Sequence, residues 1–223
     1  MSDLQRNKQW FAERAGKITA SRIRDVKAFT EGGIYLSGPK KGTPKPAKPL
    51  KAREDYKHQL VAEILIGHQR PQIKARALEW GTDAEPFGIA SYEALRNVMV
   101  QQVGFILHPV HNFIGASPDF LVGIDGGGEV KCPENPEVHL ATLINGLPDE
   151  HIEQIQGGLW STDRKWWDFV SFNPHFPKHL QLHVQRVFRD EAYIADMEIS
   201  CLQFWAEVQQ ILKQLTNTAK EAA

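Results

Sequence analysis

Apolar residues recur every three to four positions in several stretches of the chain, and this spacing predicts amphipathic helices. We predict helices over 7–14, 52–66, 75–95 and 151–161, with a final helix from 191 to about 215. A short helical turn ending at Val26 would be capped by Thr19 or Ser21, since a hydroxyl accepts from the free N–H groups of a first turn.

Two of these helices carry further signals. Gly67 would end the second one, because glycine adopts the left-handed conformation of a helix C-cap at little cost. Its apolar side would hold Tyr56, Leu60, Ile64 and Leu65. Gly81 and Pro86 would interrupt the third helix, since proline removes a helical hydrogen bond.

Between the helices the period shortens toward the alternation typical of strands. We predict strands over 98–107, 112–124, 129–132, 166–172 and 180–187. His108 and Pro109 would form a turn, and the sequence DGGG at 125–128 is a strong hairpin signal. The order of elements predicts an α/β (α+β) fold with a central mixed β-sheet flanked by helices, in a single domain over 1–223.

Charge is unevenly distributed along a chain whose formal net charge is only −1. Residues 1–53 contain thirteen Lys and Arg against four Asp and Glu, so the remaining chain is strongly acidic. Glycine and proline punctuate the basic stretch, which we predict to be a flexible loop at about 30–51. A basic N-terminal region suits a polyanionic partner such as DNA, although a solvated surface without a partner has the same composition.

Other features of the composition favour a cytoplasmic protein. The first residues contain no apolar stretch typical of a secretory signal, and no run of about 18 apolar residues would span a membrane. The two cysteines, Cys132 and Cys201, are therefore expected to be reduced thiols.

The chemistry is carried by Asp119, a hairpin signal, and then Glu129-Val130-Lys131. Strand side chains alternate, so Glu129 and Lys131 would share a face while Val130 points into the core. A hairpin would bring Asp119 beside them. Two carboxylates suit Mg²⁺, which prefers oxygen ligands and takes further ligands from water and a substrate phosphate. Lys131 would orient or deprotonate the attacking water, or stabilise charge in the transition state.

These residues resemble the phage lambda exonuclease (YqaJ-like viral recombinase) family of the PD-(D/E)xK nuclease superfamily. Five blocks match in order: RAGKITAS at 14–21, ALEWGTDAE at 77–85, SPD at 117–119, EVKCP at 129–133 and QIQGGLW at 154–160. The basic loop and the last fifty residues match poorly.

The resemblance implies a role for each matching position. Asp119, Glu129 and the Val130 carbonyl would be metal ligands, and Lys131 would be the catalytic lysine. Glu85 would hold metal-bound water, and Gln154 would steady the site. The 5′-phosphate pocket would be formed by Arg14, Ser21 and Ser117, a chemically sensible set because a terminal phosphate offers several acceptor oxygens.

The implied activity is a Mg²⁺-dependent 5′-to-3′ exonuclease that degrades one strand of linear double-stranded DNA to 5′-mononucleotides. Two Mg²⁺ ions are expected, with Mn²⁺ as a substitute. The family further implies a phage or prophage origin, a ring-shaped homotrimer, and transfer of the 3′ single strand to an annealing protein for recombination. Two alternatives stay open, namely a PD-(D/E)xK endonuclease and a non-catalytic DNA-binding module.

Overall fold

The computed structural model describes residues 4–69 and 76–221, of which 76–78 and 218–221 are described in their backbone alone. The helices are α1 Lys8–Arg14, α2 Ile23–Val26, α3 Lys51–Ile66, α4 Arg76–Arg96, α5 Pro136–Asn145, α6 Ile152–Thr162 and α7 Glu191–Glu221. The strands are β1 Ile18–Thr19, β2 Gly33–Ile34, β3 Pro44–Lys45, β4 Ile106–Leu107, β5 Ile114–Ala116, β6 Phe120–Val122, β7 Gly126–Lys131, β8 Trp166–Phe172 and β9 Leu182–Phe188.

A mixed sheet lies between helices and confirms the predicted fold class. Its order is β6-β7-β8-β9, in which β7 and β8 are parallel and the outer pairs are antiparallel. Alternating residues of β8 face opposite layers. Val170 packs with Tyr92 of α4, whereas Phe169 packs with Leu159 of α6. Both faces of this sheet are therefore buried, as the fold class requires.

The strands β1, β5 and β4 form a smaller sheet, and the chain passes from its strand β5 to β6 of the larger sheet. Its parallel β1–β5 pair lies over a core shared with α2, α3 and α7, built around Ile18, Ile114 and Phe204. The predicted strand over 112–124 is consequently two strands, β5 in this sheet and β6 in the larger one. The crossing falls at Ser117-Pro118-Asp119, where proline offers no N–H to extend a ladder.

The predicted triglycine turn is wrong by two to three residues. The turn is Gly123–Asp125, with Gly123 at φ +52°, and Gly126, Gly127 and Gly128 already belong to β7. A Cβ on each would lie within 2.4 Å of the rings of Trp166, Trp167 and Phe120, respectively. These positions are glycine because aromatic rings from neighbouring strands lie directly over the backbone.

Two predicted helices hold with changes, and one helix was missed. Helix α4 runs without interruption through Gly81 and Pro86, since its packing on the sheet outweighs the lost hydrogen bond; its predicted start at Ala75 lies outside the described residues. Helix α5 was not predicted, although Asn135 caps it by accepting from the Glu137 N–H. Helix α7 extends beyond the predicted end near 215.

The ends and faces of two helical segments also differ from expectation. Gly67 ends α3 with φ +78°, as predicted, but Ile64 and Leu65 are exposed whereas Tyr56 and Leu60 are buried. The turn before α2 has no side-chain cap from Thr19. The Thr19 and Ser21 hydroxyls contact each other instead, at 3.3 Å.

The predicted strand over 98–107 is mostly wrong. Only Ile106–Leu107 and a bridge from Gln101 to Leu121 are extended pairs, because the N–H groups of Val98 and Val100 bind Glu93 at the end of α4. The strands β8 and β9 and the helix α6 are confirmed within two residues.

The basic segment predicted as a flexible loop over 30–51 contains a short hairpin, so the expected lack of regular structure is wrong there. Strands β2 and β3 pair antiparallel, and Tyr35 extends the ladder through its N–H to Thr43 and its carbonyl to Gly42. Gly38 and Gly42 have φ of +76° and +85° and form the turn. Glycine therefore permits this hairpin by adopting positive φ.

Within the described ranges, no helix has both the length and the apolar character needed to cross a membrane. Cys132 and Cys201 are buried and free, as expected for reduced thiols.

Candidate active site

The acidic centre, as we call the cluster of Asp119, Glu129, Lys131, Gln154 and Glu85, begins at the β6–β7 hairpin. Asp119 lies immediately before β6, where its N–H donates to the Gly128 carbonyl at 3.2 Å. Its Oδ2 accepts from the Val130 N–H at 2.6 Å. The carboxylate of Asp119 is thereby fixed against the strand that carries Glu129, as the hairpin signal predicted.

Alternation along β7 is confirmed, because Val130 is buried against α4 while its two neighbours contact each other. Lys131 Nζ donates to Glu129 Oε1 at 2.6 Å. Gln154, from the first turn of α6, contacts both groups: its Oε1 accepts from Lys131 at 3.2 Å, and its Nε2 donates to the same Glu129 oxygen. This amide fixes the lysine and the glutamate relative to each other.

Gln156 lies two residues further along α6 and points elsewhere. Its side chain donates to the Phe188 carbonyl and accepts from the Asp190 N–H, at 3.0 and 3.1 Å. Residues two apart on a helix do not share a face, so only Gln154 reaches the acidic centre, as expected.

Glu85 enters the acidic centre from α4, and its electrostatic effect reaches Asp119. Burial is the largest cause that raises the pKa of the Asp119 carboxyl well above its usual value, and the charges of Glu129 and Glu85 raise it further. Lys131 and the Val130 N–H oppose that rise. The charge of Lys131 therefore offsets only part of the effect that the neighbouring carboxylates have on Asp119.

The Lys131 ammonium is held in its charged form by the same acids. Burial works to lower the pKa of Lys131, but Glu129 and Asp119 more than reverse this effect, so that the net shift is upward. In this arrangement Lys131 is a cation that can orient a water molecule or stabilise negative charge on a phosphate.

The donor set fits Mg²⁺ chemically. Among the described side chains, no three His, Cys, Asp or Glu groups form a ready-made metal cage. Mg²⁺ does not require one, because it keeps several waters and is held by one or two carboxylates plus substrate phosphate oxygens. Asp119 and Glu129 supply hard oxygen ligands, and Glu85 contributes charge nearby.

Ser117 lies two residues before Asp119 in the chain, and its side chain contacts Arg14. Arg14 Nη1 donates to Ser117 Oγ at 2.8 Å, and Trp10 Nε1 donates to the same oxygen at 3.0 Å. The Arg14 guanidinium lies 4.1 Å from the centroid of the Trp10 ring. Trp10 and Arg14 share a face of α1 because they are four residues apart.

Arg14 and Ser21 line a cavity of about 120 Å³, which we call the basic pocket together with the adjacent Ser117. The other lining residues are Lys17, Thr19, Arg22, Tyr56, Gln59, Leu60, Glu63 and Gln69. Glu63 is the acid in this lining, and its carboxylate is occupied by the Gly16 N–H and the Gln59 amide, at 2.9 and 2.7 Å.

The guanidinium of Arg14 is costly to bury in this arrangement. Burial lowers its pKa to about 10. Its Nε has no hydrogen-bond partner among the residues that the structure describes. A buried donor without a partner costs free energy that a bound anion would recover, so the basic pocket is suited to a phosphate.

The structure therefore brings eight of the nine residues singled out from the sequence into two adjacent clusters, and the ninth, Val130, lies between Glu129 and Lys131 on β7. Reasoning from the sequence missed Trp10, whose contact with Ser117 joins α1 to the hairpin, and Arg6, whose Nη2 lies 2.9 Å from Glu85 Oε2. The spacing of Trp10 and Arg14 on one helix face was a usable signal. Nothing in the local pattern connects Arg6 with an acid 79 positions away.

Comparison with known proteins places this geometry in a family. The model of the YqaJ-like viral recombinase domain matches residues 44–165. An uncharacterized protein of Acanthamoeba polyphaga mimivirus is 26% identical over 182 residues, which cover 74% of this chain and 28% of the viral protein. The chain thus spans under a third of that relative's length.

Solved structures agree with the family match. The alkaline exonuclease LHK-Exo of Laribacter hongkongensis is 34% identical with a TM-score of 0.83, over 97% of this chain and 100% of its own. A structure of LHK-Exo in complex with dAMP gives 35% identity and a TM-score of 0.84 at the same coverage. A phage-related exonuclease of Haemophilus somnus, 15% identical with a TM-score of 0.62 over 89% of this chain and 96% of its own, shows the fold alone.

These matches confirm the α/β fold with a PD-(D/E)xK restriction-endonuclease-like core and the resemblance to phage lambda exonuclease. They also support a nuclease role, since relatives that match almost the whole chain are described as exonucleases. The chain belongs to the YqaJ-like viral recombinase family.

Proposed function

We propose that the protein is a Mg²⁺-dependent exonuclease that degrades one strand of linear double-stranded DNA in the 5′-to-3′ direction. It releases 5′-mononucleotides and leaves 3′ single strands for recombination by annealing. The observation that carries this proposal is the adjacency of the acidic centre and the basic pocket. Ser117 of the pocket and Asp119 of the centre are two residues apart, so their Cα atoms are separated by at most about 7 Å.

That spacing is on the scale of one nucleotide, which suits removal of one nucleotide at a time. The basic pocket would hold the 5′-phosphate of the terminal nucleotide, while the acidic centre acts on the next phosphate. Water attacks that phosphorus, and the bond to the 3′-oxygen of the terminal nucleotide breaks. The released nucleotide keeps its own 5′-phosphate, and the shortened strand presents a new one to Arg14.

The LHK-Exo complex supports this product class, because dAMP is a deoxynucleoside 5′-monophosphate. In the pocket, the Arg14 guanidinium would bind the phosphate, while the hydroxyls of Ser21 and Ser117 complete the set. Two hydroxyls and a guanidinium match the several acceptor oxygens of a terminal phosphate.

Asp119, Glu129 and the Val130 carbonyl would hold the metal, with two ions expected, Glu85 on a metal-bound water and Mn²⁺ as a substitute. Bound Mg²⁺ supplies a water of lowered pKa and neutralises charge on the phosphate. Lys131 orients the attacking water or stabilises developing charge. Gln154 positions Lys131 against Glu129 through its two hydrogen bonds.

We further propose, from the resemblance, that the protein works as a ring-shaped homotrimer with a single-strand annealing protein. Analytical ultracentrifugation at micromolar concentration tests the first part, with a species of three times 25.2 kDa expected. A monomer at all concentrations would contradict the ring-shaped homotrimer, whereas the proposed nuclease activity would still stand.

The test of the activity compares linear duplex with covalently closed circular duplex, each incubated with Mg²⁺ and with chelator. We expect Mg²⁺-dependent release of acid-soluble 5′-mononucleotides from linear DNA and an intact circle. Nicking of the circle would replace the exonuclease with an endonuclease. Binding of DNA without cleavage of either substrate would reduce the protein to a DNA-binding module.

A further inference from the structure

The segment before α1 passes across the acidic centre and is fixed there by its own contacts. Gln5 Nε2 donates to the carbonyls of Val103 and Pro118, at 2.8 and 2.7 Å. Pro118 is the residue immediately before Asp119, so Gln5 ties this segment to the same crossing of the chain that positions the acid. The Leu4 carbonyl lies so close to Gly104 that a Cβ there would be 3.1 Å away.

Arg6, the next residue, adopts a backbone conformation that arginine disfavours. Its φ is +61°, in the left-handed region where non-glycine residues pay a steric cost. Asn7 then caps α1, with its side chain accepting from the Trp10 N–H at 2.8 Å. The conformation of Arg6 is therefore imposed from both sides, and strain of this kind concentrates at functional sites.

This geometry delivers the Arg6 side chain to the acidic centre. One amino group, Nη2, contacts Glu85 Oε2 at 2.9 Å, and the Arg6 side chain is 47% exposed while that of Glu85 is 19% exposed. A guanidinium has five donors in a planar fork, so contact with one carboxylate oxygen leaves several for a second anion. The exposed part of Arg6 faces solvent beside the acids.

The charges around Arg6 indicate a role for its guanidinium. Asp119, Glu129 and Glu85 repel the phosphates of an approaching strand, and Lys131 is already engaged by Glu129 and Gln154. A second cation at the rim, held by Glu85, would lower this repulsion where the DNA enters. The Lys131 side chain is less exposed than that of Arg6, at 33% against 47%.

We propose that Arg6 is a further substrate-binding residue, whose guanidinium binds a backbone phosphate of the DNA while Glu85 orients it. The inference rests on the proposed nuclease function and adds a contact outside the basic pocket. It assigns a purpose to the strained backbone, which keeps the side chain over Glu85 instead of letting it follow α1 into solvent.

Arg6→Gly is the sharpest variant, because glycine retains positive φ without strain while the guanidinium is lost. The dissociation constant of a fluorescent 5′-phosphorylated duplex is measured in chelator, which prevents cleavage, over a series of NaCl concentrations. We expect binding about tenfold weaker, as for the loss of one charged hydrogen bond, and a salt slope smaller by about 0.9. With Mg²⁺, KM should rise more than kcat falls.

Two companion variants separate the roles. Arg6→Lys keeps the charge and should restore the salt slope, but only part of the affinity, since it lacks the planar fork. Lys165→Ala removes a charge of equal sign from the exposed pair with Asp125, which lies six residues before Lys131 and hence about 20 Å away by strand rise, and should change neither quantity.

A purely structural ion pair predicts the opposite pattern, namely a lower unfolding temperature for Arg6→Gly with an unchanged salt slope. Affinity within twofold of the wild type and an unchanged slope would overturn the inference, while normal cleavage in the same variant would leave the proposed function standing. A wild-type protein that neither binds nor cleaves duplex DNA would overturn both.

Discussion

The basic pocket and the junction between α3 and α7 each bury an arginine, and they satisfy it differently. Arg53, at the junction, directs both terminal nitrogens to Glu207 at 2.7 and 2.9 Å and its Nε to the Val26 carbonyl at 3.0 Å. Arg14, in the pocket, leaves its Nε without a partner among the described residues.

This difference distinguishes a buried arginine that stabilises the fold from one that is available to bind a ligand. A fully paired buried cation stabilises the fold and has little capacity for a ligand. A buried donor left open costs stability and keeps that capacity for something that arrives later. Two lysines and two glutamines form further pairs, in each of which one residue belongs to the acidic centre and the other lies outside it, and each pair can be tested by matched substitution.

The lysine pair should give the largest effect. Lys131→Ala removes the cation of the acidic centre, and we expect nuclease turnover to fall by more than about 1,000-fold with little change in unfolding temperature, since the charge serves the transition state. Lys57→Ala breaks contacts with Glu54 and Glu207, so it should lower stability and preserve turnover. Nucleotide release and thermal unfolding measure both, and near wild-type turnover in a folded Lys131→Ala protein would contradict the assignment.

The arginine pair comes next. Arg14→Ala should reduce the preference for a 5′-phosphate over a 5′-hydroxyl end by roughly 10- to 100-fold, the effect of losing a charged hydrogen bond, without lowering stability. Arg53→Ala should lower the free energy of unfolding by about 2–3 kcal/mol, less than for a fully buried pair because Glu207 is partly exposed. Degradation of singly phosphorylated duplexes and urea unfolding are the readouts. An unchanged end preference in Arg14→Ala would remove the pocket from the mechanism.

The glutamine pair should give a smaller change in rate. Gln154→Ala removes the amide that links Lys131 to Glu129. We expect kcat to fall about tenfold with KM nearly constant, because a positioning residue acts on the chemical step. Gln156→Ala leaves two backbone groups at the β9–α7 connection unpaired, so it should reduce stability alone. Equal kcat and KM values for the two variants would contradict a positioning role for Gln154.

The smallest effect concerns pH. Hydrogen bonds from Arg53 are the main cause that lowers the pKa of Glu207 to about 2, with Lys57 adding to it. A carboxyl with a lowered folded-state pKa adds stability above its unfolded pKa, and this contribution is lost as the pH falls from about 4.5 toward 2. Comparing wild type with Glu207→Gln by urea unfolding at pH 7 and pH 3 should show the difference shrinking; a constant difference would contradict the pairing.

Local periodicity predicted the part of the site that lies within one element. Strand alternation correctly put Glu129 and Lys131 on one face with Val130 in the core, because that relation depends only on consecutive residues. The hairpin was found from its glycines, but its turn was displaced, since Gly127 is dictated by the Trp167 ring forty residues away. The pattern of residues within one strand therefore cannot predict this contact with a ring from another strand.

The remaining parts of the site depend on contacts between distant segments. The resemblance supplied Glu85, Gln154 and the pocket residues, and neither it nor the periodicity supplied Arg6. The basic hairpin was read as a flexible loop because glycine and proline were counted as breakers, whereas Gly38 and Gly42 use positive φ to close its turn. Tertiary packing, as in α4 across Pro86, also overrides local propensity.

One measurement tests most directly whether the acidic centre and the basic pocket act together on a DNA end. A linear duplex with a 5′-phosphate at one end and a 5′-hydroxyl at the other carries a different label on each strand, and it is digested with Mg²⁺ beside the Arg14→Ala protein. We predict progressive loss of the 5′-phosphorylated strand by the wild type, and loss of that preference in the variant. Equal digestion of both strands by the wild type, or digestion beginning at the 3′ ends, would contradict the account.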